Sequence, residues 1–355
     1  MKNQILAEGV PELSCPLPIS DYKNVLLAHG GGGRLSQQMI QKMFVPQFQN
    51  EYLEQLHDGA IINMNGGRLA FSTDSYVINP IFFPGGNIGT LAVNGTVNDL
   101  AMCGAMPMYL SAAFIIEEGF AMDELWRIVL SMQEAAKMAG VQLVTGDTKV
   151  VDKGKGDKIF INTSGIGAIE NDVDINPKNA RPGDKIILNG AIAAHGIAIM
   201  SVREGLEFKT RVESDCAPLN DLVRTMFRVS KQIHVLRDPT RGGVASALNE
   251  IAESANVGIM IHENRIPVAD EVRGACEILG FDPLYVANEG KLLAFVDPAD
   301  SERVLSAMRL HPLGKDAVVI GEVTSVNPRS VLMKSRIGGT RVVDMLSGEQ
   351  LPRIC

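Results

Sequence analysis

Three features of this chain are suited to chemistry: a run of glycines, a scatter of aspartates and a terminal thiol. The run is His29-Gly30-Gly31-Gly32-Gly33-Arg34. It follows the apolar Val25 to Ala28, expected as a strand, and precedes an expected helix carrying Leu35, Met39, Met43 and Phe44. Backbone amides at a strand-to-helix loop can hold phosphate with the help of the helix dipole. The run completes neither GxGxxG nor a GK[ST] ending, so a plain flexible loop stays open as the alternative. The aspartates are Asp74 in FSTDS, Asp99 in NGTVNDLAMCG, Asp147 in TGDTK and Asp238 in RDPTRGG. Each alone reads as a solvated loop residue. Four of them together point to Mg2+ held between carboxylates and nucleotide phosphates, because that ion takes hard oxygen ligands.

The thiol is Cys355, last in Leu351-Pro352-Arg353-Ile354-Cys355. Near its ordinary pKa of about 8.5 a thiol is only ~3% thiolate at neutral pH, yet it remains nucleophilic enough to take an acyl-type group. Its own carboxylate disfavours the thiolate and Arg353 offsets this in part. An accidental terminal cysteine is the alternative. The residues after Gly348 can extend roughly 23 Å, so the tail can alternate between a solvent-facing and an inserted pose, with Gly338, Gly339 and Gly348 as bending points and Pro352 as a restraint.

Alternating helices and strands must position these groups. Asp123 reads as the N-cap of a helix whose Leu125, Ile128, Val129 and Met132 follow helical spacing to Gly140, and a strand at Val141 to Val144 follows. The segment Asn176 to Gly183, rich in proline and polar residues, marks a domain boundary before a strand at Asp184 to Leu188. Beyond it the pattern predicts helices at Gly196 to Glu204 and Val244 to Glu253, strands at Ile259 to Ile261 and Leu292 to Val296, and a hairpin turning at Gly338-Gly339. Strand-rich stretches such as Ile159 to Ile169 lack intervening helices, so the expected class is two α/β (α+β) domains with mixed sheets. The expected divisions are 1–21, an extension; 22–178, an N-terminal α/β domain; 179–347, a second α/β domain; and 348–355, a tail.

Composition narrows the function. The 355 residues carry 33 Lys plus Arg against 41 Asp plus Glu, a net charge of −8. That balance leaves no electrostatic footprint for nucleic acid or an anionic membrane. No apolar run reaches the roughly 20 residues of a membrane span. The five cysteines are odd in number and widely spaced, which argues against a disulfide framework or a zinc site and for the reducing cytoplasm.

The strings HGGGGR, FSTDSYVINPIFFPGGNIG, TGDTKVV, DPTRGGV, ANEGKL, HPLGKDA and PRIC, in this order, resemble those of the HypE-type hydrogenase maturation factors, over essentially the whole chain. These belong to the wider aminoimidazole ribonucleotide synthetase and selenophosphate synthetase superfamily of ATP-binding proteins. The resemblance implies a carbamoyl dehydratase: a HypF-type carbamoyltransferase loads Cys355, ATP dehydrates the thiocarboxamide to a thiocyanate, and cyanide passes to iron on a HypC and HypD complex. It implies ATP and Mg2+ as cofactors, with Gly30, Gly31, Gly32, Gly33, Asp74, Asn94, Asp99, Gly146, Asp147, Thr148 and Arg241 on the nucleotide. Asp74, Asp99, Asp147 and Asp238 are the candidate metal ligands. Lys149 is implied near the carboxamide oxygen and Glu289 as the acceptor of a proton from nitrogen. It also implies a homodimer in which N-terminal sheets combine into a shared sheet or barrel. His195, preceded by Ala193-Ala194 where relatives carry an aspartate, stays outside this catalytic set. A small-molecule kinase of the thiamine monophosphate kinase type is the alternative enzyme; a non-catalytic scaffold would need neither the aspartates nor Glu289, and a redox or metal-chaperone role for Cys355 lacks a neighbouring Cys or His.

Overall fold

The computed structural model describes residues 24–48, 50–205, 212–347, 351 and 353–355. The expected extension over 1–21, Gly348 and Pro352 lie outside them. The chain enters through α1 (Arg34–Met39), which passes by a π-helical turn at Ile40–Phe44 into α2 (Val45–Gln47). The strand expected at Val25 to Ala28 is instead a 3-10 turn at Leu27–Gly30, with Val25 and Leu27 exposed. Among the described residues no strand lies beside it to take up its backbone groups.

The first domain is a five-stranded sheet with helices on one face. Its elements are β1 (Ala60–Met64), β2 (Gly67–Tyr76), a small hairpin of β3 (Phe82–Phe83) and β4 (Gly86–Asn87), α3 (Ile88–Met102), β5 (Ala105–Glu117), α4 (Met122–Ala139), β6 (Gln142–Val151) and β7 (Ile159–Ile169). The order is β1-β2-β7-β5-β6, antiparallel except for β5 and β6, which run parallel because α4 crosses between them. The sheet is open, and no barrel closes within one chain. On β7 every odd residue from Ile159 to Ile169 is buried against α3, and the even ones face away. α3 is capped by the Asn87 side chain, which accepts from the Gly89 and Thr90 amides, and thirteen of its fifteen residues are buried. It is buried all round because the second domain lies on its far side. Each fully buried Leu or Val there contributes about 1.5–3 kcal/mol. α4 buries one stripe, Ile128, Met132, Ala135, Ala136 and Ala139, and stops at Gly140, whose φ of 72° is the left-handed ending. Its cap position is Ala121, with Asp123 in the first turn, where its charge opposes the helix dipole.

The second domain contains β8 (Lys185–Leu188), α5 (Ala194–Arg203), α6 (Asn220–Val229), β9 (Ile233–Arg237), α7 (Gly243–Ala255), β10 (Gly258–His262), α8 (Asp270–Leu279), β11 (Leu293–Val296), α9 (Ser301–Arg309), β12 (Val318–Thr324), β13 (Ser330–Lys334) and β14 (Thr340–Val342). They form a seven-stranded sheet ordered β14-β13-β10-β12-β8-β11-β9, mixed as expected, with β10 and β13 its parallel pair. Gly338 and Gly339 make the β13 to β14 hairpin turn, so they fold the sheet and do not serve the tail as bending points. Phe295 and Leu293 pack with α7 and α8 on one face of the sheet; Ala294 and Val296 pack with α6, α9 and the first domain on the other. One continuous apolar core therefore crosses between the domains.

Candidate functional site

Three acids meet where the domains join. Asp58 precedes β1, Asp99 lies on the last turn of α3 and Asp238 follows β9, and their ligand oxygens all lie within 4.8 Å of one another. Asp58 escaped the sequence reading: in His57-Asp58-Gly59 nothing marks it apart from any turn aspartate. Arg237 partners it at 2.7 Å, and Ser72 Oγ donates to Asp99 at 2.8 Å. Burial first, then Asp238, Asp74 and Asp58, pushes the Asp99 carboxyl well above the carboxylate range. Asp238 is raised to about 7, by burial and then by Asp58. Asp58 Oδ2 is buried without a hydrogen-bond partner. Crowded carboxylates with an unspent oxygen fit a hard divalent cation, which would remove both the repulsion and the orphan acceptor.

Glu289 lies within electrostatic reach of Asp238. It is buried, its Oε1 has no partner, and burial followed by Asp238, Asp215 and Asp74 raises its pKa well above the usual value. Its amide donates to Asp215 Oδ1 at 3.1 Å. Gly290 beside it is obligatory, because a Cβ there would stand 1.8 Å from the Asp215 carbonyl oxygen. Asn98 on α3 ties this loop to the first domain: Nδ2 donates to the carbonyls of Glu289 and Ala217 at 3.2 and 3.1 Å, and Oδ1 accepts from the Leu219 amide at 2.8 Å. Asn94, one turn earlier, is buried with Oδ1 unsatisfied.

Residues 353–355 of the tail are inserted. The Val77 amide donates to the Cys355 main-chain oxygen at 3.0 Å and the Asn79 amide to that of Arg353 at 3.2 Å, an antiparallel continuation of β2. Arg353 pairs with Asp157 and its Nε donates to the Val77 carbonyl at 2.8 Å. From the second domain, Arg203 donates to the Arg353 carbonyl and His195 Nε2 lies 2.8 Å from that of Ile354. Cys355 is 7% exposed, and its thiol is pushed up to about 12 by burial, opposed by Arg241 and reinforced by Glu289, Asp74 and Asp99. Arg241 in turn is held charged by Cys355, Asp74 and Glu289. Asp74, half-buried on β2, is raised by burial and lowered by Arg241.

The glycine loop leans on the same corner. Gly32 has φ +70°, and a Cβ on it would meet Arg241 Cβ at 2.7 Å; Arg241 Nη1 donates to the Gly30 carbonyl at 2.9 Å. The Gly31, Gly32 and Arg34 amides are engaged within the protein, by the Ala28 carbonyl, Ser36 Oγ and the Leu346 carbonyl. Gly33 packs against Leu346. Beyond the loop opens a cleft of about 650 Å³ lined by Gly32, Ile40, Tyr52, Asp58, Ser72 and Arg237 among others. That volume suits a nucleotide.

Gly146, Asp147, Thr148 and Lys149 stand apart, on β6 at the sheet edge. Asp74 pairs with Thr163, Thr163 with Ala112 and Ala112 with Gly146, so three strand spacings, about 14 Å, separate β6 from Asp74 in one chain. Lys149 Nζ pairs with Asp147 at 2.7 Å, both exposed, and this bond holds Asp147 below its usual pKa. The chain by itself thus assembles Asp58, Asp74, Asp99, Asp238, Arg241, Glu289 and Cys355, and leaves the β6 residues outside.

Residues 56–169 match the AIR synthase related protein N-terminal domain, and residues 181–333 its C-terminal domain. Fold and site together define a protein of that two-domain class. Within it, the chain is 54% identical over 330 residues to the carbamoyl dehydratase HypE of Cupriavidus necator, covering 93% of this chain and 94% of that one. It superposes on HypE from a HypE–HypF complex with a TM-score of 0.83 and 49% identity, over 87% of this chain and 99% of that chain. A HypE structure in complex with ATP gives 0.79 and 50% identity, over 94% and 100%. The chain belongs to the HypE family of hydrogenase maturation proteins and is a carbamoyl dehydratase. Among the described residues no helix is long and apolar enough to cross a membrane.

Proposed function

We propose that this protein dehydrates a carbamoyl group carried on its own Cys355, with ATP as the dehydrating substrate. The observation that carries the reading is the position of Cys355: buried, with its main chain held, beside Arg241, Glu289 and Asp74. ATP is assigned to the cleft lined by Gly32, Tyr52 and Asp58, and a relative solved in complex with ATP supports the choice of nucleotide. Asp58, Asp99 and Asp238, with Asp74 nearby, would hold Mg2+, whose chemistry is to neutralise charge on the transferring phosphoryl group.

The amide oxygen of the thiocarboxamide is a poor leaving group. Transfer of the γ-phosphoryl group to it forms a C–O–P linkage and releases ADP. Glu289 takes one N–H proton, the second leaves to solvent, and the C–O bond breaks with phosphate departing as C≡N forms. The oxygen ends in phosphate, so the balance is thiocarboxamide plus ATP to thiocyanate, ADP and phosphate. A raised pKa makes Glu289 the stronger base for this step. Arg241 faces the same thiol and offers charge to the developing phosphate.

The expected role of Lys149 and Asp147 requires a second copy. All of β6 from Gln142 to Val150 is exposed, an unpaired edge bearing Leu143, Val144 and Val150, and we assign it to a homodimer contact. Loading by a HypF-type carbamoyltransferase is supported by the relative solved with HypF, and a HypC and HypD complex would receive the cyanide.

Intact-mass spectrometry after incubation with carbamoyl phosphate, a HypF-type transferase and Mg-ATP tests the reading. Cys355 gains a carbamoyl group and then loses one water; Cys355→Ala does neither while ATP binding persists. Water loss at the normal rate from a carbamoyl group on another cysteine overturns it.

A further inference from the structure

His195 is fully buried on the first turn of α5, and the chemistry above makes no use of it. Its surroundings fix where its proton lies. The Ile354 carbonyl, 2.8 Å from Nε2, can only accept, so Nε2 carries the hydrogen. Nδ1 lies 2.8 Å from Ser214 Oγ, and that oxygen already accepts the Cys216 amide at 3.1 Å, which leaves the hydroxyl proton for Nδ1. Ser214 is itself anchored by its amide on the Pro84 carbonyl at 2.8 Å. The Phe83 ring stands at 89° to the imidazole, centroids 5.5 Å apart, and blocks rotation. Burial lowers the pKa of His195, so the ring stays neutral.

We propose that His195, oriented by Ser214, is the positioning residue of the carrier thiol. The carbonyl it holds belongs to the peptide unit joining Ile354 to Cys355, while the Val77 amide holds the Cys355 oxygen on the other side of the same Cα. With both flanking groups fixed, Cys355 retains one soft torsion, χ1, and its three staggered wells. A long loaded tail would otherwise sample many orientations of the thiocarboxamide; this pair reduces the search to the rotations of the loaded side chain itself, about Cα–Cβ, Cβ–Sγ and Sγ–C. The two donors come from different domains, Val77 following β2 and His195 on α5, so the thiol is placed relative to both. This inference rests on the reading that Cys355 carries the carbamoyl group.

Its test has one readout without catalysis and one with it. Iodoacetamide alkylation of the full-length protein, followed by peptide mapping, should label Cys355 roughly tenfold faster in His195→Ala and His195→Phe than in wild type, with the buried Cys103 and Cys276 unchanged. His195→Gln, whose amide N–H can reach the same carbonyl, should restore slow labelling. With the transferase and Mg-ATP, His195→Ala should load carbamoyl at least as fast as wild type but lose water about tenfold more slowly, with ATP affinity unchanged. Equal Cys355 labelling in wild type, Ala and Phe variants, or a Gln variant that behaves like Ala, overturns the proposal. A wild-type protein that is loaded but never loses water instead overturns the reading of function, and the labelling comparison still decides the role of His195.

Discussion

The carboxylates of the interior cluster and the Asp147–Lys149 pair on β6 are alike in chemistry and opposite in surroundings. At the domain junction Asp99, Asp238 and Glu289 are drawn out of water beside one another, and burial lifts all three. On the edge strand Asp147 meets a lysine in open solvent and is lowered. The first set is crowded in one chain and, in the proposed function, holds a cation. The second is paired in one chain and, in the proposed homodimer, gains its role from the partner copy. Position in the fold, more than residue type, separates the two sets.

Three measurements sharpen that contrast. The largest thermal effect belongs to the interior. An acid whose folded pKa lies above its unfolded value binds more protons when native, so stability falls as pH rises between the two values. For Asp238 that window runs from about pH 4, its unfolded value, to the folded value of about 7. Asp238→Asn should flatten the fall and raise the Tm at pH 8, without added cation, by roughly 5 °C. Mg2+ should stabilise the wild type more than the variant. Calorimetry at pH 5 and pH 8 checks this, and an unaltered slope would show that the cluster carries no strain.

An intermediate effect is expected at the edge. Val144→Asp places a charge on β6 and should halve the mass seen by light scattering at micromolar concentration, with the Tm of the separated chains little changed. The same change at Ile337, 97% exposed near the β13–β14 turn, should leave the mass as it was. A dimer that survives Val144→Asp would remove β6 from the interface.

The smallest thermal effect is expected at Lys149. An exposed ion pair adds little to stability, so Lys149→Ala should melt within about a degree of wild type. Loss of water from the loaded Cys355 should nevertheless slow by ~100-fold, the usual weight of a catalytic group. Unchanged turnover would return Lys149 to the ordinary surface.

The sequence makes some elements legible to the residue and hides others for definable reasons. β7 matches its predicted bounds because its alternating residues answer to a single buried face. β6 runs to Val151, well past the expected Val144, since Thr145 to Lys149 are polar and neither face of this strand is covered. The apolar Val25 to Ala28 suggests a strand because side-chain preference is local and a missing partner strand is not. Asp58 becomes visible only when Arg237 and Asp99, far away in sequence, arrive beside it. His195 lacks the preceding aspartate that would mark it in the sequence, because its partners are a serine hydroxyl and a carbonyl from the other end of the chain.

Asn98 carries a further consequence. With one side chain it grips the loops at Ala217, Leu219 and Glu289, one residue before Asp99 of the acid cluster. The spacing between Asp99 and Glu289, the proposed metal ligand and base, is therefore tied to adjacent positions on one helix. A hinge opening here would first have to strip those three bonds, so the protein works like a vice with fixed jaws. In the proposed function it is the terminal thiol, and neither domain, that passes between the transferase and ATP.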